Sequence, residues 1–251
     1  YNGTSWAEQN NMGTARYRTA AVGTQTATVL FGGGTYPGSP QDVNNVEEYN
    51  GTSWTALTNL PAVRGMGHSF GISTDAIVTG GRTGSPGASN TSLSWNGSAF
   101  SSAPNLGTAR FNGGDGNITG TTAGIVTGGY TTVSLGTTEE FHITANTVTG
   151  AAWASGGNMN TARIENCGLS GTIPAAVAFG GYNPAASPKA TANSEEYNGT
   201  AWTEGNNLGT ARWDISGAGT QTAALVAGGG TPGSTANCEE YNGTSWSEQN
   251  N

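Results

Sequence analysis

The feature that most constrains the fold of this chain is a segment that returns five times. Each copy has an arginine, then a pair of glycines, then two aromatic residues a few positions apart. The arginines are Arg16, Arg64, Arg110, Arg163 and Arg212, and the glycine pairs begin at Gly32, Gly80, Gly128, Gly180 and Gly228. A period of about 50 residues is typical of propellers and solenoids, whose units bury their faces against one another. The repeat predicts a single domain over residues 1–251, with units at roughly 12–58, 59–103, 104–157, 158–206 and 207–251.

Within each unit, the residues predict four short strands. After the arginine comes a stretch rich in small residues, such as "WDISGAG", which suits the innermost strand of a blade because Gly permits close backbone approach. An apolar run such as "DAIVTGG" follows and is typical of a strand buried on both faces. The string "EEYNGTSW" then supplies strand, turn and strand, since Asn-Gly favours the type I′ turn. We predict an all-β fold, a five-bladed β-propeller of four-stranded blades, with the Tyr and Trp packed between blades.

The order of these residues resembles the kelch repeat. That pattern runs from an arginine through a small-residue strand and an apolar strand ending in Gly-Gly to a variable loop, a tyrosine and a tryptophan, and the match covers essentially the whole chain. "RGMGH" at 64–68 is most similar to the family's opening motif, whereas the other units keep the arginine without the histidine. The turn from Tyr to Trp is shorter here, and six or seven units are common in that family. The resemblance implies a kelch-like propeller.

Acidic pairs precede the first aromatic residue in four units. The pairs are Glu47-Glu48, Glu139-Glu140, Glu195-Glu196 and Glu239-Glu240. Adjacent residues on a strand point to opposite faces, so the two members of a pair cannot share one catalytic or calcium site. We predict a ring of Arg-to-Glu ion pairs, within or between blades, formed by the five repeat arginines and Glu48, Glu140, Glu196 and Glu240. The second unit reads "SLSW" at 92–95, so its arginine must be held differently.

Residue types that carry chemistry are scarce. His68 and His142 are the only histidines, and neither completes a Ser/His/Asp or metal pattern. Cys167 and Cys238 fall at different points of the repeat and are predicted to be buried free thiols. "NGGDGNITG" at 112–120 has the composition of a calcium loop but lacks the downstream glutamate of an EF-hand. We predict no catalytic residue, metal or cofactor, although the resemblance keeps an enzyme as a third possibility, because some kelch propellers are copper oxidases or epimer-forming enzymes.

The charge balance bears on the partners. The net charge is −8 and Lys189 is the only lysine, so no basic stripe exists to neutralise nucleic acid. No apolar run approaches the roughly 18 to 20 residues that a spanning helix needs, which argues against membrane insertion.

The units differ most in the loops that follow Gly-Gly. In a propeller these loops emerge on the same face as the connections between blades, so this face is the predicted binding surface. The side chains there that are able to stack on or hydrogen-bond a ligand are Tyr36, Arg82, Tyr130, Tyr182, Asn183 and Lys189. The expected function is non-catalytic recognition of a glycan or protein surface by an extracellular, cell-surface or virion protein.

One outer strand is surplus to five blades. Residues 1–11 are almost the same string as residues 241–251, so the chain has six copies of the turn between two aromatic residues, four of them from Tyr to Trp, for five Gly-Gly segments. The extra strand could pair with another molecule, cover an edge, or belong to a longer array with neighbouring domains. The alternative function is therefore a purely structural bead in a filament or particle, joined through the duplicated strand.

Overall fold

The computed structural model describes residues 4–35, 42–84, 87–116, 120–142, 152–164, 168–231 and 233–249. These residues form twenty β-strands in five antiparallel sheets of four consecutive strands each. The first strands of the sheets contact one another around a common axis. The predicted all-β, five-bladed β-propeller with four-stranded blades is thus confirmed.

The strands of a blade are called A to D in chain order, with A innermost. Blade 1 contains β1 (Ala20–Thr24), β2 (Ala27–Phe31), β3 (Val46–Tyr49) and β4 (Trp54–Ala56). Blade 2 contains β5 (His68–Ile72), β6 (Asp75–Thr79), β7 (Ser92–Trp95) and β8 (Phe100–Ala103). Blade 3 contains β9 (Gly114–Gly116), β10 (Ala123–Thr127), β11 (Thr138–His142) and β12 (Ala152–Ser155). Blade 4 contains β13 (Gly168–Thr172), β14 (Ala175–Phe179), β15 (Ser194–Tyr197) and β16 (Trp202–Glu204). Blade 5 contains β17 (Ser216–Thr220), β18 (Ala223–Ala227), β19 (Cys238–Tyr241) and β20 (Trp246–Gln249).

The B strands supply most of the core between blades. Val29 and Phe31 of β2 pack with Ala76 and Val78 of β6, and the same pattern joins blade 4 to blade 5. Large apolar side chains on one blade therefore meet small ones on the next. Burying one such large side chain contributes about 1.5–3 kcal/mol. Trp95 is also fully buried in this core, 1% exposed, which fits the predicted packing of aromatic residues between blades.

The turn between strands C and D differs from the prediction. Tyr49 pairs directly with Trp54, so four residues, not two, connect the strands. The side chain of Asn50 accepts hydrogen bonds from the backbone N–H groups of Thr52 and Ser53 at 3.0 and 2.9 Å, and only Gly51 has a positive φ, 90°. The Asn-Gly signal correctly marked a hairpin, but the type I′ turn is wrong because the asparagine side chain organises a longer loop.

Four of the repeat arginines form ion pairs with glutamates of strand C in the same blade. The pairs are Arg16 with Glu47 at 2.9 Å, Arg110 with Glu139 at 2.6 Å, Arg212 with Glu239 at 2.5 Å, and Arg163 with Glu195. Each of these carboxylates also accepts a hydrogen bond from the backbone N–H three residues before its arginine. The predicted ring of ion pairs therefore exists in these four blades.

The choice of glutamate within each pair is corrected by the structure. The sequence predicts Glu48, Glu140, Glu196 and Glu240 as the partners, whereas in the structure the first glutamate of each pair faces the arginine. Because neighbouring side chains on a strand alternate, the second glutamate faces away from the arginine. Two of the second glutamates join blades instead. Tyr197 donates to Glu140 of the preceding blade at 2.7 Å, and Tyr241 donates to Glu196 at 2.5 Å.

Blade 2 holds its arginine without a carboxylate, as its sequence predicts. Arg64 is 4% exposed and donates to the carbonyl oxygens of Gly80 and Thr91 and to the Thr91 hydroxyl. Leu93 occupies the position of the first glutamate, because it pairs with Val78 as Glu139 pairs with Val126. Burial without a counter-ion lowers the pKa of Arg64 to about 10.

The predicted surplus strand is wrong for the part of residues 1–11 that the structure describes. Residues 4–11 form no strand, since the fourth place in the sheet of blade 5 is taken by β20. The segment instead contacts both blade 5 and blade 1, and the Trp6 side chain hydrogen-bonds the Cys238 thiol of blade 5. Trp54 Nε1 donates to the carbonyl oxygen of Asn10 at 3.0 Å, and the Asn10 amide donates to the carbonyl oxygen of Thr52 at 2.6 Å.

Candidate binding face and central channel

The loop face is the end of the propeller that carries the B–C connections and the links between blades. Arg82, Tyr130 and Tyr182 occupy the same repeat position there, directly after Gly-Gly. Each forms two isolated β-bridges, one of them to the residue that follows the repeat arginine. This pairing fixes the backbone of the three predicted ligand-binding residues in equivalent places around the axis. Tyr36 lies outside the described residues.

The richest cluster on the loop face joins blades 4 and 5. The rings of Tyr182 and Trp213 meet edge to face, with centroids 5.8 Å apart and an angle of 74° between planes. The ammonium group of Lys189 lies 5.8 Å from the centre of the Tyr182 ring. Asn183 shapes the loop between them, because its side chain accepts from the Ala185 N–H at 3.0 Å and its own N–H donates to the Lys189 carbonyl at 2.8 Å. The structure thus brings three predicted residues together.

Tyr130 belongs to a separate pair in blade 3. Its ring lies 5.6 Å from that of Phe111, at 65°, and both residues are half-buried. Two backbone hydrogen bonds, of 3.1 and 2.8 Å, hold the residues side by side. Tyr130 therefore presents an aromatic edge that is fixed by its own blade.

Arg82 is largely engaged within the protein. Its Nε and Nη2 atoms donate to the two carboxylate oxygens of Asp42, both at 2.8 Å, so the guanidinium links blade 2 to the loop of blade 1. The hydrogen bond to Asp42 raises the pKa of Arg82. Bidentate Arg–carboxylate pairs are geometrically specific, so Arg82 serves at least as much to join these loops as to meet a ligand.

Sequence reasoning missed the aromatic residues that directly follow the repeat arginines. These residues are Tyr17, Phe111 and Trp213. Two of them stack on predicted loop residues, and Tyr17 is 39% exposed beside Arg18. The signal was available, because three of five units place an aromatic residue at this position, three residues before the innermost strand of the blade begins.

A polar channel runs along the axis between the five A strands. Its cavity has a volume of about 290 Å³, and of the described residues that line it only Asp115 is charged. The Ser69 N–H donates to Asp115 Oδ2 at 2.7 Å, while the buried Ser170 hydroxyl has no hydrogen-bond partner. The string at 112–120, which has the composition of a calcium loop, thus places Asp115 in the channel. Among the described residues, no group of three His, Cys, Asp or Glu side chains gathers in a way that could hold a metal.

The histidines and the described cysteine lie apart from the loop face clusters. His68 is 1% exposed, neither ring nitrogen has a hydrogen-bond partner, and its Nδ1 lies 3.9 Å from Asp115 Oδ1. His142 Nε2 lies 3.0 Å from Glu140 Oε2. Cys238 is buried and forms no disulfide, as predicted, and burial raises the pKa of its thiol. Cys167 lies outside the described residues.

The part of the chain that the structure describes contains no helix long and apolar enough to cross a membrane.

Comparisons with known proteins support the fold but assign neither a family nor a function. No protein family matches the sequence, and no curated protein matches it. A solved structure described as "Structure of YjhT" matches with a TM-score of 0.77 over 95% of this chain and 85% of that one, at 14% identity. At this identity the likeness concerns architecture alone. The chain is thus shown to be a five-bladed β-propeller with four-stranded blades.

Proposed function

We propose that this propeller is a non-catalytic binding module that recognises a glycan or a protein surface through its loop face. The observation that carries the proposal is the cluster of Tyr182, Trp213 and Lys189 across blades 4 and 5. Aromatic rings that are fixed in place offer a large contact area at low entropic cost, and a neighbouring ammonium adds a hydrogen-bond donor. Loops on a rigid scaffold are the usual location of binding residues.

We further propose that the blades are kelch-like and that the protein acts outside the cell, on a cell surface or in a virion. The repeated arginine, Gly-Gly pair, tyrosine and tryptophan support the first statement. The second is supported only by composition, with one lysine, low charge and many Gly, Thr, Ser and Asn residues. In such settings many displayed copies would turn weak single contacts into strong binding.

A broad glycan array, probed with the folded protein, tests the proposal. The double variant Tyr182→Ala, Trp213→Ala should lose at least about tenfold in binding, because stacked aromatic side chains are typical hot spots. Ile72→Ala is the matched control, since Ile72 is 40% exposed at the end of β5, away from the loop face. No binding by the folded wild type to glycans or to candidate surface proteins, or equal loss in the control, would refute the proposal.

The alternative, a purely structural bead in a filament or particle, is favoured by a different feature. Among the described residues, no hydrogen bond runs from the second glycine of blade 5 to the Arg16 carbonyl of blade 1, and Leu225 and Leu30 on the facing walls of these blades are only half-buried. The duplicated strand does not supply the joint in the described residues, because residues 4–11 form no strand.

A further inference from the structure

Two kinds of contact join the neighbouring blades at all four junctions from blades 1 and 2 to blades 4 and 5, and a third kind is present at two of these junctions. The first is a backbone hydrogen bond from the second glycine of Gly-Gly to the carbonyl oxygen of the next arginine. It joins Gly33 to Arg64 at 2.8 Å, Gly81 to Arg110 at 2.8 Å, Gly129 to Arg163 at 3.2 Å and Gly181 to Arg212 at 2.9 Å. The second is an apolar cluster between the facing sheets, present at all four junctions. The third, at two junctions, is the bond from a tyrosine hydroxyl to the second glutamate of the preceding blade.

The junction between blades 5 and 1 lacks the first two contacts among the described residues. No hydrogen bond joins the Gly229 N–H to the Arg16 carbonyl. Leu225 of blade 5 and Leu30 of blade 1, which should face each other, are only half-buried. Their counterparts at the junction of blades 4 and 5, Val177 and Val226, are both 0% exposed. The walls of these two blades therefore do not pack together.

Gly228 shows that blade 5 nevertheless has the backbone shape of a sealed junction. Its φ is +69°, like the corresponding glycines of the other blades. A Cβ at Gly80 or Gly180 would come within 2.7 or 2.9 Å of the next arginine's carbonyl oxygen, and one at Gly32 would overlap it. A Cβ at Gly228 would meet only the Thr235 carbonyl, at 3.6 Å. Blade 5 thus leaves room for an arginine carbonyl that its own neighbour does not supply.

The third contact is also absent here among the described residues, as it is at the junctions of blades 1 and 2 and of blades 2 and 3, where Trp95 and Phe141 replace the tyrosine. Glu196 accepts from Tyr241 of the next blade, but no tyrosine in the described ranges reaches Glu240. The hydroxyl of Tyr49, its counterpart in blade 1, donates to Gln9 at 3.4 Å instead. The ion pair that does cross this junction joins Arg18 to Asp214 at 3.4 Å and is exposed, and exposed pairs of this kind contribute little.

We propose that the wall of blade 5 is an interaction surface for blade 1 of a second copy of this chain. The four sealed junctions define what this wall accepts: an arginine carbonyl and a B strand of matching shape at every junction, and a tyrosine hydroxyl at the two junctions whose next blade carries a tyrosine. Blade 1 offers Arg16, Leu30 and Tyr49 at these positions, and none of them is used against its own blade 5. Two copies can exchange these contacts reciprocally. The proposal is independent of the ligand proposed for the loop face.

Cysteine cross-linking of mixed variants tests this surface. Leu30→Cys and Leu225→Cys are made separately in a background of Cys167→Ser and Cys238→Ser, mixed, and oxidised gently. We expect a disulfide-linked heterodimer at several times the yield of either homodimer, and light scattering should show dimers of the wild type. A mixture of Ile72→Cys with Leu225→Cys is the matched control and should give no preferred product.

A double variant that carries both cysteines in one chain shows whether the wall of blade 5 is covered by blade 1 of a second copy or by blade 1 of the same molecule. If blade 1 of the same molecule closes the ring, the double variant gives an internal disulfide in a monomer, and the proposal fails. If the wild type remains monomeric and the mixture does not cross-link, the proposal fails too. Leu225→Asp provides a check without thiols: it should abolish the dimer while circular dichroism shows an intact fold, whereas Ile72→Asp should leave the dimer unchanged.

Discussion

Arg64 shows how a single substitution in a repeat is matched by changes around it. The carboxylates that pair with the other repeat arginines also accept a hydrogen bond from the N–H three residues before the arginine. In blade 2 this position is Pro61, which has no N–H, and the carboxylate itself is replaced by Leu93. A glutamate at position 93 could therefore pair with Arg64, but it would lack the hydrogen bond from a backbone N–H that the other glutamates accept.

This relationship predicts a favourable coupling between two substitutions. Leu93→Glu alone should change stability little, because the gain from pairing Arg64 offsets the cost of burying a carboxylate with an unmet hydrogen bond. With Pro61→Gly added, the N–H becomes available, and the cycle should show a coupling of about 1–2 kcal/mol. Urea unfolding of the four proteins measures it. A coupling near zero would mean that Pro61 and Leu93 differ from the other units for unrelated reasons.

The tyrosine bonds between blades predict an alkaline dependence of stability. Burial raises the pKa of Tyr197 from 10.0 to about 12, with the hydrogen bond to Glu140 adding to the effect. The folded state therefore favours the protonated hydroxyl, so its contribution is complete below pH 10 and is lost as the pH rises to about 12. Burial raises the pKa of Tyr241 in the same direction.

Tyr197→Phe isolates this contribution. At pH 8 the variant should be less stable by about 1–3 kcal/mol, because a bond to a carboxylate is lost. The difference from wild type should shrink above pH 10 by about 1.4 kcal/mol per pH unit. Urea unfolding between pH 8 and 11.5 follows it, with Ile72→Ala as a control that changes no titrating group. A difference that stays constant across this range would show that the Tyr197 hydroxyl is not held as described.

Much of the residue-level pattern could be predicted, but not which glutamate meets the arginine. Strand alternation correctly separates the two members of each acidic pair onto opposite faces. Choosing between Glu139 and Glu140 needs the position of strand C relative to the arginine before strand A, which is a contact in three dimensions. The aromatic residues after the arginines were overlooked for a similar reason, since their partners lie in a distant loop.

At the scale of the element, the contacts at the end of strand B explain why a Gly-Gly pair recurs at the same position in every unit. The first glycine at four junctions must have a positive φ and must also let an arginine carbonyl approach. Gly228 meets only the first requirement. The same sequence element therefore carries different constraints in different blades.

This difference predicts unequal effects of one substitution. Gly228→Ala should cost about 1 kcal/mol, the usual penalty of a left-handed conformation for alanine. Gly32→Ala should cost at least about 2 kcal/mol more, because its Cβ would also overlap the Arg64 carbonyl and force blades 1 and 2 apart. Thermal and urea unfolding of the two variants under dilute conditions compare them. Equal costs would indicate that blade 5 meets the next arginine as closely as blade 1 does.

The elements differ in how far the sequence predicts them. The B strands are continuous apolar runs, and their prediction as strands buried on both faces holds in blades 2 to 4. The C–D turns were identified, but their type depends on the side chain of Asn50 and its equivalents. The loops after Gly-Gly have no repeating pattern, so their side-chain contacts, such as Arg82 with Asp42, follow only from the fold.

At the scale of the whole molecule, a repeat specifies neighbours but not closure. Every unit repeats the arginine, the apolar B strand and the Gly-Gly pair, so the sequence alone predicts five equivalent junctions. Whether the last blade meets the first depends on the small rotation between successive blades, which accumulates around the axis. The structure has four sealed junctions and one that is not, and in the described residues the unsealed junction differs by its missing hydrogen bond from Gly229 and by the half-buried Leu30 and Leu225.

The unsealed junction predicts that stability is unevenly distributed among the blades. Local opening is easiest where few apolar contacts are buried, and strand β17 is mostly exposed whereas β13 is mostly buried. The backbone amides of β17 and β18 should therefore exchange hydrogen faster than those of β13 and β14 at about 1 µM protein. If a second copy covers this wall, the exchange of blade 5 should slow at about 100 µM by mass action, while that of blade 4 stays the same.

Hydrogen exchange followed by mass spectrometry at the two concentrations separates three states of the ring. Slow exchange in blade 5 at both concentrations would mean that its wall is already covered within one molecule. Fast exchange at both would mean that the wall remains open and no copy binds. A concentration-dependent change that is confined to blade 5 and blade 1, and that disappears in Leu225→Asp, would locate the contact on these two walls, because no other junction leaves its B strands half-exposed in the described residues.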